Sequence, residues 1–283
     1  MLTEAMNREC APFAWIDWLL LLAVAGLSVQ LAVMLAPPAV EAWHNRPRPG
    51  VQVPQQYTDA AGMPVNYLLY LPPGYETGSK WPLVVYLHGA GARGHDLNLV
   101  RRDGLPRQIE RGKKVDFILL APQCPAGSGW MPETVVELIE HINNSLSADR
   151  DRVYLTGFSM GGNGTWATAA YDPGRFAAIV PLSSGGDVGQ ADRLVALPIW
   201  AFHGAKDEVV PLGASKAMVD AVRKCGGHVE FTVYPNHGHD ICDATYQDQL
   251  LEWLLAQRRS QASDIKTKPA AERRTAKAAR SVQ

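Results

Sequence analysis

The chain has 283 residues, 47% of them hydrophobic, which suits one large α/β domain with appendages and excludes fibrous, collagen-like and wholly disordered classes. Its net charge of −1 is unevenly spread: residues 258–283 hold eight Lys or Arg against two Asp or Glu, so the rest is acidic, and nothing in that balance points to a nucleic-acid enzyme. The four cysteines, Cys10, Cys124, Cys225 and Cys242, are too few and scattered for a disulfide framework or a zinc motif; Cys225 and Cys242 pair only if the fold brings them together, while Cys124 and Cys242 read as buried thiols.

After an N-terminal segment (1–17), residues 18–36 run for 19 positions without a charge, long enough to cross a bilayer as a helix. The following Val40-Glu41-Ala42 resembles a signal-peptidase site. The length of the run, and Glu4, Arg8, Glu9 and Asp17 before it, instead favour an uncleaved anchor and a membrane-bound or exported protein. Arg46 and Arg48 behind the run would place the domain in the cytoplasm by the positive-inside rule, and a translation start at Met34 would do the same by removing the run. Residues 37–54 hold five prolines and no periodicity, and read as a linker.

From residue 55 the pattern alternates strand and helix up to residue 257. Strands are expected at 65–71, 83–87 and 117–121, the middle one a continuous apolar run typical of a central parallel strand. A helix follows at 132–146, opened by Pro132, with Val135, Leu138, Ile139, Ile142 and Leu146 on one face. Next come a strand at 152–156, a helix at 163–171, strands at 177–182 and 199–203, a helix at 213–224 ended by Gly226, and a strand at 229–234. An amphipathic helix at 243–257, with Tyr246, Leu250, Trp253 and Leu254 inward, closes the domain, and the basic tail at 258–283 reads as disordered. Repeated β-then-α units imply a mostly parallel, doubly wound sheet with helices on both faces.

Gly157-Phe158-Ser159-Met160-Gly161 sits between an expected strand and an expected helix. A chain that reverses so sharply strains the central residue, needs neighbours without a Cβ, and exposes the serine hydroxyl at the top of the sheet. A serine hydroxyl is a poor nucleophile at neutral pH and needs a base, usually a histidine oriented by a carboxylate. In such sheets each member lies in a loop at the carboxyl end of a strand, in the order Ser, Asp or Glu, His. Asp207, just beyond the strand at 199–203, is the expected acid, with Asp187 as runner-up and Glu208 pointing elsewhere. His239 is the expected base and His237 its competitor. The pair of histidines with Asp240 lacks a third ligand and any strong metal signature, so no metal site is expected.

A tetrahedral intermediate also needs donors for its oxyanion. The N–H of Met160, directly after the serine, is one; the other is assigned to Ala90 in the turn Leu87-His88-Gly89-Ala90-Gly91, with Gly91 as the neighbour that could replace it. His88 and His203 each end a strand before a glycine and read as structural histidines beneath the loops.

Six stretches in this order resemble an α/β-hydrolase of the phospholipase/carboxylesterase and polysaccharide-esterase group, sometimes labelled predicted peptidases. They are Leu69-Tyr70-Leu71-Pro72-Pro73-Gly74-Tyr75, the turn at Leu87-His88-Gly89-Ala90-Gly91, Ala121-Pro122-Gln123-Cys124-Pro125, the serine turn, His203-Gly204-Ala205-Lys206-Asp207 and Gly238-His239-Asp240. The resemblance covers residues 64–257 and implies ester hydrolysis without a cofactor, through an acyl-serine intermediate, by Ser159, Asp207 and His239. The similar dienelactone hydrolases use cysteine, so serine argues against that activity, and Cys124 sits in a different loop.

Only 16 residues separate the strands at 177–182 and 199–203, too few for a cap domain, so an open cleft is expected. The insertion at 92–115, with Arg93, Arg101, Arg102, Arg107 and Arg111, forms one wall; its charges read first as a solvated surface and second as a site for an acidic or sugar-linked substrate. Trp130 is placed either on an acyl or aryl group or in the core. The expected activity is a carboxylesterase on short-chain or aryl esters, including acyl groups on polysaccharides. A serine peptidase on short peptides and a catalytically silent membrane-bound module are the alternatives. Oligomeric state is not legible.

Overall fold

The computed structural model describes residues 46–75 and 78–259. The expected anchor at 18–36, the segment before it and nearly all of the basic tail lie outside the described residues, as does the first half of the linker. Among the described residues no helix is long and apolar enough to cross a membrane.

The strands are β1 (Gln52–Thr58), β2 (Pro64–Tyr70), β3 (Trp81–Leu87), β4 (Ile118–Pro122), β5 (Ala148–Phe158), β6 (Ala178–Leu182), β7 (Ile199–Gly204) and β8 (Val229–Tyr234). They form one sheet in the order β1-β2-β4-β3-β5-β6-β7-β8. β1 and β2 pair antiparallel, as do β2 and β4, and every later pairing is parallel. The helices are α1 (Leu97–Val100), α2 (Gly104–Glu110), α3 (Pro132–Ser145), α4 (Met160–Tyr171), α5 (Leu212–Lys224), α6 (Cys242–Thr245) and α7 (Asp248–Ala256).

Strand alternation divides the core into two layers. From β3, Leu83, Val85 and Leu87 face Val135, Leu138 and Ile142 of α3, Trp166 of α4 and Met218 of α5. Val84 and Tyr86 face the other way, onto Val100, Leu105 and Ile109 of the insertion and Leu250 and Leu254 of α7. Both sides of β3 are therefore covered, which is why its sequence is a continuous apolar run rather than an alternating one.

Three expectations need correction. The linker does not reach residue 54, because Gln52, Val53 and Pro54 already pair with Tyr70, Leu69 and Leu68 in a hairpin. β1 is an edge strand, where a proline without an N–H is tolerated, so Pro54 is compatible with strand pairing. The final helix is not continuous either: it breaks at Tyr246 and Gln247 into α6 and α7. The break lets the Tyr246 ring turn into the core, where its hydroxyl meets Thr156 Oγ1 at 2.8 Å, and leaves its carbonyl free to accept from Lys113 Nζ at 3.0 Å. Trp253, expected inward with Tyr246, Leu250 and Leu254, is only half-buried and donates Nε1 to Glu230 at 3.0 Å. Cys225 is exposed and Cys242 buried, and both are free thiols.

Candidate active site

Ser159 stands between β5 and α4 with φ 56° and ψ −118°, a positive φ that a non-glycine residue rarely adopts. Its neighbours explain how the turn closes. A Cβ on Gly161 would run into the Leu87 carbonyl, one on Gly157 into the Gly161 carbonyl, and one on Gly162 into Ser184. The glycines therefore let α4 approach the sheet backbone directly. The helix is buried on nearly every side, with Gly164, Thr165, Trp166, Ala169 and Ala170 inside, so its sequence shows no polar face.

The serine hydroxyl is 2.8 Å from His239 Nε2, and His239 Nδ1 is 2.8 Å from Asp207 Oδ2. His239 lies beyond β8 and Asp207 beyond β7. The other Asp207 oxygen accepts the N–H groups of Val209 and Val210, each at 2.9 Å. Burial alone would raise the Asp207 pKa, but its hydrogen bonds from His239, Val210 and Val209 outweigh it and hold the carboxyl below the usual range. In this line the carboxylate fixes the Nδ1–H tautomer and leaves Nε2 free to take the serine proton.

The competing candidates go elsewhere. Asp187 is exposed and caps the short 3-10 helix at Val188–Leu194, accepting from Gly189 and Gln190. Glu208 and His237 are exposed, the latter against the Tyr234 ring. His203 is fully buried, as expected for a structural histidine, but it also approaches Asp207 Oδ2 to 3.1 Å and contacts Ser215 and Val210, a second imidazole on the same carboxylate. The residue pattern His-Gly before the acid loop carried that signal without showing the contact. Among the described residues no cluster of His, Cys, Asp or Glu could hold a metal ion.

The turn after β3 forms a short 3-10 helix, Ala90–Ala92. Gly89 lies against the Phe158 ring, so this turn abuts the serine turn. Among the described residues the N–H groups of Ala90 and Met160 have no protein acceptor, which leaves both available to an oxyanion. Gly91 is exposed beside Ala90.

Trp130 packs on Gly164, crosses the His88 ring edge-on at 4.9 Å and donates Nε1 to the His88 carbonyl at 3.1 Å. It also bounds a cavity of about 250 Å³, walled besides by Val65, Cys124, Met131, Thr134 and Leu138. Of the arginines in the insertion, Arg101 pairs with Glu110, and Arg107 and Arg111 pair with Asp243 just behind His239. The Asp243 pairs tie the wall to α6, and Arg107, 3.6 Å from Asp240, ties it to the residue after His239.

A family profile described as phospholipase/carboxylesterase matches residues 130–252. A crystal structure of a thermostable esterase is 30% identical, with a TM-score of 0.63, over 73% of this chain and 63% of that one. The chain is an α/β-hydrolase. Within that fold it is a hydrolase of carboxylesterase type. Feruloyl esterase C of Emericella nidulans is 28% identical over 199 residues, which span 65% of this α/β-hydrolase and 71% of that protein. A ferulic acid esterase structure at 17% identity and TM-score 0.57, covering 72% of this chain and 98% of that one, shares the fold.

Proposed function

We propose that this chain hydrolyses carboxylic esters through an acyl-serine intermediate, with Ser159 as nucleophile, His239 as base and Asp207 orienting the base. The observation that carries the reading is the unbroken line from Ser159 Oγ through His239 to Asp207, with both contacts at 2.8 Å. As Ser159 Oγ bonds to the ester carbonyl carbon, its proton passes to His239 Nε2 and the carbonyl oxygen becomes an oxyanion facing the N–H groups of Met160 and Ala90. Collapse of that intermediate expels the alcohol, which takes the proton from His239, and water repeats the sequence to release the acid.

The substrates proposed are short-chain or aryl esters, including acyl groups on polysaccharides. The cavity behind Trp130 supports this: it lies across one side chain from the His88 turn, is largely apolar, and at about 250 Å³ accepts an aryl ring or a short acyl chain. The likeness to a feruloyl esterase points the same way. The decisive experiment is turnover of p-nitrophenyl acetate and butyrate by the wild type and by Ser159→Ala. Activity abolished in the variant is expected, and a folded wild type inert on both esters overturns the reading.

We also propose that residues 18–36, 19 positions without a charge, attach the domain to a membrane. Fractionation of cells expressing the full chain, compared with a chain lacking residues 1–50, tests it; equal partition of both would overturn the attachment.

A further inference from the structure

His88 is fully buried, contributes no atom to the line of Ser159, His239 and Asp207, and yet both of its ring nitrogens are committed. The N–H of Cys124 donates to Nε2 at 3.0 Å. Nε2 must therefore carry a lone pair, and the ring's single proton sits on Nδ1. That proton is donated to the carbonyl of Gly89 at 2.6 Å. The tautomer follows from its partners alone.

The consequence falls on the next atom of the chain. No cis peptide occurs among the described residues, and in a trans peptide the C=O and N–H point in opposite directions. Holding the Gly89 carbonyl on the imidazole therefore turns the Ala90 N–H away from His88, onto the open side of the turn. The preceding peptide is held as well, because Asp103 Oδ2 accepts the Gly89 N–H at 2.9 Å. The His88 carbonyl is held by Trp130. Gly89 can adopt this position against Phe158 because it has no side chain.

We propose that His88 is a positioning residue for the oxyanion site: as a neutral, Nδ1-protonated imidazole it fixes the peptide plane that presents the Ala90 N–H. This rests on the esterase reading above. Burial, aided by the nearby Arg93 guanidinium and opposed by the hydrogen bond to Gly89, lowers the His88 pKa to about 4, so the ring is neutral wherever an esterase of this kind would work. The thiol of Cys124, whose backbone N–H bonds the ring, lies near the same Arg93 guanidinium. Its own pKa is raised by burial, which keeps it uncharged.

Two substitutions separate the two nitrogens. The amide of Asn in His88→Asn can replace Nδ1 as donor to Gly89, whereas the longer amide of His88→Gln reaches the Nε2 position and leaves the Gly89 carbonyl with only the longer bond from the Ala92 N–H, at 3.2 Å. With p-nitrophenyl butyrate, H88Q is expected to lose about ten- to a hundredfold in kcat with KM within twofold, short of the 100- to 1000-fold cost of deleting an oxyanion donor. Its affinity for a trifluoromethyl ketone, which forms the same oxyanion on Ser159, should fall by the same factor, while inhibition by the product acid is unchanged. H88N should recover most of the kcat. Equal kcat in the two variants, both folded by thermal melting, overturns the assignment, as does a loss in H88Q that appears in KM and product binding alike. If either variant fails to fold, the ketone affinity of the one that folds decides: loss in H88Q or retention in H88N supports the assignment, and the opposite result overturns it. Failure of the esterase reading looks different, because the wild type itself would then be inert on the ester.

Discussion

His239 Nδ1 and Asp207 Oδ2 are 2.8 Å apart although they leave the sheet from different strands, β8 and β7. The contact exists because β7 and β8 pair in parallel, Gly204 opposite Tyr234, so both loops emerge from the same edge. The Ala205 N–H bonds to the Tyr234 carbonyl and the Lys206 N–H to the His237 carbonyl, which binds the two loops to each other. Asp207 therefore meets the imidazole as part of a rigid pair of turns.

Replacing Asp207 by Asn keeps the shape and removes the charge that selects the Nδ1–H tautomer. A loss of about three to four orders of magnitude in kcat on p-nitrophenyl butyrate is expected, with the fold intact by circular dichroism. A loss below tenfold would show that the carboxylate does not orient the base.

Stability should fall on the acid side in two stages. The His88 pKa drops from 6.5 to about 4 on folding, mainly through burial, so below pH 6.5 the unfolded chain takes up the proton first. Stability is full above that pH and is lost as pH falls toward 4, by about 3 kcal/mol in all. Asp207, whose folded pKa is depressed because its hydrogen bonds outweigh burial, contributes stability above its unfolded pKa that is lost only at lower pH still. Urea unfolding between pH 7 and 4 should show the first stage, and H88N should flatten it.

Gly161 and Gly91 make a matched test of the turns. At Gly161 a Cβ would strike the Leu87 carbonyl, whereas at Gly91 it would meet nothing within 4 Å. Gly161→Ala should destabilise by about 3 kcal/mol or more, or prevent folding. Gly91→Ala should change the unfolding free energy, read from urea titration, by less than about 0.5 kcal/mol.

Filling the cavity should change selectivity without touching the reacting atoms. Thr134, half-buried on α3, lines the cavity with Leu138 and Trp130. Thr134→Phe is expected to lower kcat/KM for aryl acyl esters about tenfold and to leave p-nitrophenyl acetate within twofold, the effect of losing one apolar contact surface. Equal effects on both substrates would place the acyl group elsewhere.

The sequence marked Ser159, Asp207 and His239 because each follows an apolar run and carries its own turn chemistry, and it marked Ala90 through the glycines around it. The arginines of the insertion were legible as charges but not as partners. Arg107 and Arg111 find Asp243 across more than 130 residues of chain, a pairing that only the sheet order brings about. Trp130 takes both of its expected places, lining the cavity and packing inward with Nε1 donated to the His88 carbonyl.

What the sequence determined by itself was the succession of strands and helices and the identity of the groups at their ends, since periodicity, glycine placement and turn residues are local properties. Tertiary structure decided the rest. Whether a proline-bearing segment becomes β1 depends on the edge strand it can pair with, and whether the last helix breaks depends on Thr156 waiting in the core for the Tyr246 hydroxyl. The role of His88 was equally out of reach of the sequence, because a tautomer is set by which atoms face each nitrogen. Those partners, Cys124 and Gly89, meet only once β3 and the chain leaving β4 lie side by side.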